Sequence, residues 1–254
     1  MSRQARRFER NSNTRVRKVI GESGHQPKQK FVEDRGERAR NFALVGKTAN
    51  QKQFLQALTR SDLVVGEGAS GVGKSILAIS HAAKLFLEKK IDRIVLVRCY
   101  QPLASRTVGF LSGSANEKLR PYMAQQISYI ENVIGKAATD MAISNGDIEL
   151  CLLEAVRGRD FTNCVAIVDE AQLLIPAEVQ ALVTRIGTGC QMIVIGDSQQ
   201  ADKRGVAEGL KYLRSIIDEF DIEGAEIVNF TIHDCQRSGI TKQFLQAFDV
   251  TGYL

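Results

Sequence analysis

From residue 62 onward, short runs of consecutive apolar residues alternate with longer stretches in which apolar residues return every three or four positions. The runs 62–66 (DLVVG), 94–97 (IVLV), 148–152 (IELCL), 165–168 (VAIV), 191–195 (QMIVI) and 226–230 (EIVNF) are short and apolar, and polar or glycine-containing segments bound them. They predict buried strands. Between the first two, 74–87 (KSILAISHAAKLFL) sets Ile76, Ile79, Ala83 and Phe86 at helical spacing and predicts a helix buried on that face. Further helices are predicted over about 116–135, 176–186 with Pro176 in the first turn, 209–219 and 241–248. Strands that alternate with helices and are apolar throughout imply an α/β fold, a central, mostly parallel sheet flanked by helices on both faces.

Composition divides the chain in two. Residues 1–40 hold twelve Lys/Arg and five Asp/Glu, so the whole net charge of +5 sits there and the remainder is slightly acidic. This segment shows no sustained periodicity and too few apolar side chains to offset its ordering entropy. Residues 1–45 are therefore read as a basic, flexible tail, either contacting nucleic-acid phosphates or only solubilising. Residues 46–254 form one domain of ordinary globular composition. Five scattered cysteines without a CxxC pair argue against a disulfide framework or zinc knuckle and fit a reducing cytosol. No apolar run reaches the roughly 18 residues of a membrane span.

The chemistry begins directly after the first strand. Gly68, Ala69, Ser70, Gly71, Val72, Gly73, Lys74 and Ser75 match GxxxxGK[ST]. Such glycines let backbone N–H groups curl round a phosphate at a helix N-terminus, Lys74 reaches the β/γ-phosphates, and Ser75 ligates Mg²⁺. The cofactors expected are ATP and Mg²⁺. The strand 165–168 runs into Asp169-Glu170, where Asp169 would hold the metal and Glu170 would polarise a water, unless both merely cap the next helix. A strand intervening between the two motifs means that the acidic strand need not neighbour the phosphate-loop strand. Gln200, beyond the strand 191–195, is the candidate sensor of the γ-phosphate, and Gln51 the candidate reader of an adenine edge.

Together these segments resemble the PhoH-like family, ATP-binding proteins with a RecA-like P-loop NTPase core similar to the first domain of superfamily 1 helicases. The resemblance covers 46–254 and rests also on Gly109-Phe110-Leu111, Pro121-Tyr122, Arg157-Gly158-Arg159, Thr184-Arg185-Ile186-Gly187, and Asp234 with Arg237. Departures are Cys99 where the family usually has Pro, Ser238 where His is common, and a stretch 201–205 that looks one residue short. A superfamily 1 helicase takes arginines from a second domain; a single domain implies an oligomeric ring, a hexamer, with Arg237, Arg185 or Arg204 crossing to a neighbour's site. The segment from Arg98 to Tyr122 is expected to leave the strand beside the phosphate loop. Its Arg98, Tyr100, Arg106, Lys118 and Arg120, with Arg157 and Arg159, suit single-stranded nucleic acid, RNA before DNA; the alternative is a solvated loop with Phe110 and Tyr122 in the core. Ribonuclease activity, a non-catalytic ATP-gated RNA-binding module and a metabolite kinase are the other readings.

Overall fold

A computed structural model describes residues 42–99, 118–198 and 208–251. Residues 1–41 of the expected tail and the candidates Tyr100, Arg106, Gln200 and Arg204 lie outside the described residues. In chain order the elements are α1 (Ala49–Arg60), β1 (Leu63–Glu67), α2 (Lys74–Leu87), β2 (Arg93–Arg98), α3 (Ala124–Ile134), α4 (Lys136–Asn145) and β3 (Ile148–Leu152). There follow β4 (Cys164–Asp169), α5 (Pro176–Val183), β5 (Gln191–Gly196), α6 (Gly209–Phe220), β6 (Ala225–Asn229) and α7 (Gly239–Thr251). The six strands form one sheet in the order β3-β2-β4-β5-β1-β6. Every pairing is parallel. Each predicted run becomes a strand, within a residue or two of the expected bounds.

Strand order corrects one expectation. β2 follows the phosphate loop in sequence, yet β4 and β5 lie between it and β1. The segment leaving Arg98 thus starts beside Asp169, its register partner on β4, and not beside the loop. β5 separates β1 from β4, the arrangement the spacing of the two motifs allowed.

Two helices escape the apolar pattern. α1 starts at Thr48, whose hydroxyl accepts the Gln51 N–H at 3.3 Å, and buries Gln51, Phe54, Ala57 and Leu58. Its buried apolar residues Phe54, Ala57 and Leu58 recur at helical spacing but span little more than one turn. The predicted helix over 116–135 is helical from 118 to 134 among the described residues, a 3₁₀ turn (Arg120–Met123) leading into α3, which stops at Gly135 with φ 87°. A second helix, α4, then buries Ala138, Thr139, Ala142 and Ile143. Over 176–186 only Pro176–Val183 is helical.

The core lies between sheet and helices: Val64, Val65, Ile94, Val95, Val165, Ile167, Met192 and Ile193 are buried. Phe54 meets Phe230 edge-to-face at 5.4 Å. A Cβ on Gly66 would come within 2.8 Å of the Phe54 ring, so β1 carries its glycine where α1 presses on the sheet. Ile79, Ala83 and Phe86 of α2 are buried as expected, but Ile76 is 43% exposed. It lies one residue past the phosphate loop and faces a cleft rather than the core.

Candidate nucleotide site

The parallel sheet brings the carboxyl ends of β1, β5, β4 and β2 to one edge, where open α/β sheets bind ligands. There a cleft of about 550 Å³ is lined by Ser70, Ser75, Arg98, Asp169, Glu170 and Arg237, with residues 42–45 along one wall.

The phosphate loop joins β1 to α2 through Gly68, Gly71 and Gly73 at φ 146°, 83° and 97°. A Cβ at Gly68 would also sit 2.5 Å from the Phe230 carbonyl oxygen, so only glycine fits the turn. The loop's carbonyls are tied back. Gln236 N–H donates to Gly71 O at 3.1 Å, Gln51 Nε2 to Val72 O at 2.9 Å, and Lys74 Nζ to Gly68 O and to Ala69 O. The unpaired N–H groups that begin α2 supply the positive end of its dipole. Burial holds the Lys74 ammonium below lysine's usual range, while Asp197, Asp169, Glu170 and Glu67 pull the other way.

Asp169 ends β4. Its Oδ1 accepts the Ser75 hydroxyl at 3.3 Å and the Glu170 N–H at 3.0 Å; its Oδ2 accepts Gln126 Nε2 at 2.7 Å. Glu170 adopts the left-handed region, φ 59°, a conformation that a non-glycine residue holds only against strain. Its carboxylate accepts Gln172 Nε2 at 2.7 Å, and Gln172 Oε1 accepts the Asp197 N–H at 3.2 Å, joining the ends of β4 and β5. Glu170, which precedes the 3₁₀ turn at 171–173, makes no side-chain capping bond to it. Mg²⁺ takes one or two carboxylates, water and substrate phosphates rather than an all-protein cage. The hard oxygens of Ser75 and Asp169, in mutual contact beside the loop, fit it. No group of three or more His, Cys, Asp or Glu side chains among the described residues offers a closed metal cage instead.

Gln51 is 3% exposed and tied to backbone, its Oε1 accepting Lys47 N–H at 2.8 Å while Nε2 holds Val72. One N–H and one lone pair of its amide remain for a base. Asp234, 3% exposed, accepts Thr231 N–H and Asn50 Nδ2, both at 2.8 Å. Burial pushes its carboxyl up, but hydrogen bonds from Thr48, Thr231 and Asn50 outweigh that and hold it below the usual range.

This clamp sets Arg237. A Cβ on Gly71 would lie 2.8 Å from Arg237 Cγ, so the arginine packs on the phosphate loop of its own chain. The first-ranked candidate for a neighbour's site thus stands in cis, because β6 pairs with β1 and delivers the following loop to the P-loop. Arg185 is at the opposite edge, its backbone paired with Phe161 ahead of β4. Its guanidinium donates to Arg159 O at 3.2 Å.

Of the expected nucleic-acid residues, the five among the described residues do not form one cluster. Arg98 lines the nucleotide cleft and donates to Tyr122 O. Arg120 is paired with Asp140 of α4, and both Arg159 guanidinium nitrogens NH1 and NH2 go to Glu149 of β3. These two arginines brace the fold through charges that the linear spacing does not reveal. Lys118 is half-buried, and Arg157 is exposed at the rim of a separate small cleft. Gln126 is the site residue that sequence reasoning missed, since a glutamine inside a helical segment carries no local signature, whereas Gln172 stands two residues after Glu170 in the acidic motif.

The family described as PhoH-like protein matches residues 43–249. The PhoH-like protein of Bacillus subtilis (strain 168) is 31% identical over 86% of this chain and 68% of its own length. Protein PhoH of Escherichia coli (strain K12) is 31% identical over 81% of this chain, which spans only 58% of that relative. Among solved structures, the large terminase of a thermophilic bacteriophage in complex with ADP aligns over 78% of this chain and 49% of its own, with 15% identity and a TM-score of 0.46. Among the described residues no helix is long and apolar enough to cross a membrane. Strand order, phosphate loop and acidic pair make this a RecA-like P-loop NTPase fold, and the match over most of the chain places the protein in the PhoH-like family.

Proposed function

We propose that the protein is a Mg²⁺-dependent ATPase whose turnover is coupled to binding or remodelling single-stranded nucleic acid, RNA in the first instance. The observation that carries the hydrolytic part is the convergence of Lys74, Ser75, Asp169 and Glu170 at one sheet edge, with β5 between the two motif strands. Lys74 and the loop N–H groups bind the β- and γ-phosphates. Ser75 and Asp169 would hold Mg²⁺, which would supply neutralisation of phosphate charge. Glu170, oriented by Gln172, accepts the proton of the attacking water. Arg237, against Gly71, offsets charge developing on the transferred phosphoryl group.

Coupling to nucleic acid is supported by Arg98, which lines the nucleotide cleft opposite Asp169 and holds the Tyr122 carbonyl ahead of α3. Assembly into a ring, a hexamer, belongs to the same reading. Ile240 and Phe244, 67% and 57% exposed one turn apart on α7, offer an apolar face close to Arg237, and Arg185 and Arg204 remain for a neighbour's site.

ATP hydrolysis with and without single-stranded RNA, for wild type and Glu170→Gln at two salt concentrations, tests the reading. Stimulation that fades with salt and vanishes in the variant is expected. Tight nucleotide binding without turnover in any condition would leave an ATP-gated binding module instead.

A further inference from the structure

Gln126 lies on the buried face of α3 among Ile127, Ile130, Val133 and Ile134 and is 6% exposed. An amide in an apolar helix face is costly unless its groups are paired. One of them is paired well: Nε2 donates to Asp169 Oδ2 at 2.7 Å, across 43 residues of chain. Its Oε1 has no hydrogen-bond partner among the described residues. The side chain is thus held there by what its N–H₂ does. A carboxylate opposite admits only the donor end of the amide, since the carbonyl oxygen would repel it.

The two oxygens of Asp169 are thereby divided. Oδ2 is held by Gln126, while Oδ1 is turned to the Ser75 hydroxyl and the Glu170 N–H. Without the amide, the carboxylate could rotate about its terminal torsion, which is broad. Arg98, the register partner of Asp169 on β2, secures the turn just before α3 through Tyr122 O, so the helix that carries Gln126 is tied to the neighbouring strand as well.

We infer that Gln126 is a positioning residue, fixing the Asp169 carboxylate so that Oδ1 faces the metal position beside Ser75. This deepens the ATPase reading and rests on it. Partners that orient a metal ligand typically carry about 10–100-fold of metal affinity.

The test is calorimetric binding of ADP to the full chain, in excess Mg²⁺ and in EDTA, for wild type, Gln126→Ala and Gln126→Met. Methionine keeps the length and apolar packing of the site but lacks the N–H₂. In both variants the tightening of ADP by Mg²⁺ is expected to fall by about tenfold, with affinity in EDTA unchanged. Full Mg²⁺-dependent tightening in both variants overturns the inference. So does an equal loss in EDTA, which would mark general damage to the cleft. Wild type that binds no ADP, or binds it with no response to Mg²⁺, would bring down the ATPase reading itself.

Discussion

Asp234 joins the loop after β6 to the start of α1, and its removal should unfasten the arginine side of the cleft. The carboxylate accepts Thr231 N–H and Asn50 Nδ2 at 2.8 Å and the Thr231 hydroxyl at 3.2 Å, and Thr48 adds a further bond. A hydrogen bond to a charged group is worth about 1.5–3 kcal/mol. Asn50 is half-buried and Thr231 exposed, so water compensates part of the loss. Asp234→Ala should cost about 3 kcal/mol in total, roughly two such bonds. For a domain of this size that lowers Tm by about 6–12 °C. Nucleotide binding should weaken as well, because the Gln236 N–H bond to Gly71 and the Arg237 packing belong to the released loop. A carboxyl held below its usual range binds its proton less readily folded than unfolded. Its stabilisation is therefore full above the ordinary value of 3.8 and is lost as pH falls through the lower folded value. Asp234→Asn should flatten that acid limb. Thermal and urea unfolding across pH, with ADP titration, measure all three. A change in stability below about 0.5 kcal/mol, the range of an ordinary surface substitution, with unchanged ADP affinity, would refute the clamp.

Arg237→Ala should lower kcat by about 10³-fold or more if the arginine offsets transition-state charge. Because it lies in cis, mixing this variant with Lys74→Ala should restore nothing, whereas recovered turnover in the mixture would place its action across an interface. His81 is buried and shares a hydrogen bond with Gln191 at 3.2 Å; burial holds it below the usual 6.5. The unfolded chain then binds the proton more readily, so stability should fall as pH drops below about 6.5. His81→Phe should remove this slope near neutrality, and urea midpoints that kept the same pH dependence would contradict it.

The phosphate loop could be read directly because its chemistry is a local backbone requirement: glycines where the chain turns with positive φ, then Lys74 and Ser75 where α2 begins. The strands were equally readable, since a strand buried on both faces is written as an unbroken apolar run. Short apolar stripes left less trace: Phe54, Ala57 and Leu58 span little more than one turn of α1, and α4 buries only Ala138, Thr139, Ala142 and Ile143. The arginines show the same limit. Nothing near Arg120 or Arg159 in the chain announces that Asp140 and Glu149 take up their charge, so a basic, exposed interface and a structural ion pair look identical until the fold closes.

Which strands become neighbours was settled only by three-dimensional packing. Order β4-β5-β1-β6 sets Asp169 one strand away from the phosphate loop and brings Arg237 onto it, although some 170 residues of chain separate Arg237 from Gly68. Hydrophobic runs specify that a strand is buried, but they are nearly interchangeable as partners. The choice among them belongs to crossovers, helix packing and close contacts such as Phe54 on Gly66, which exist only once distant segments have met.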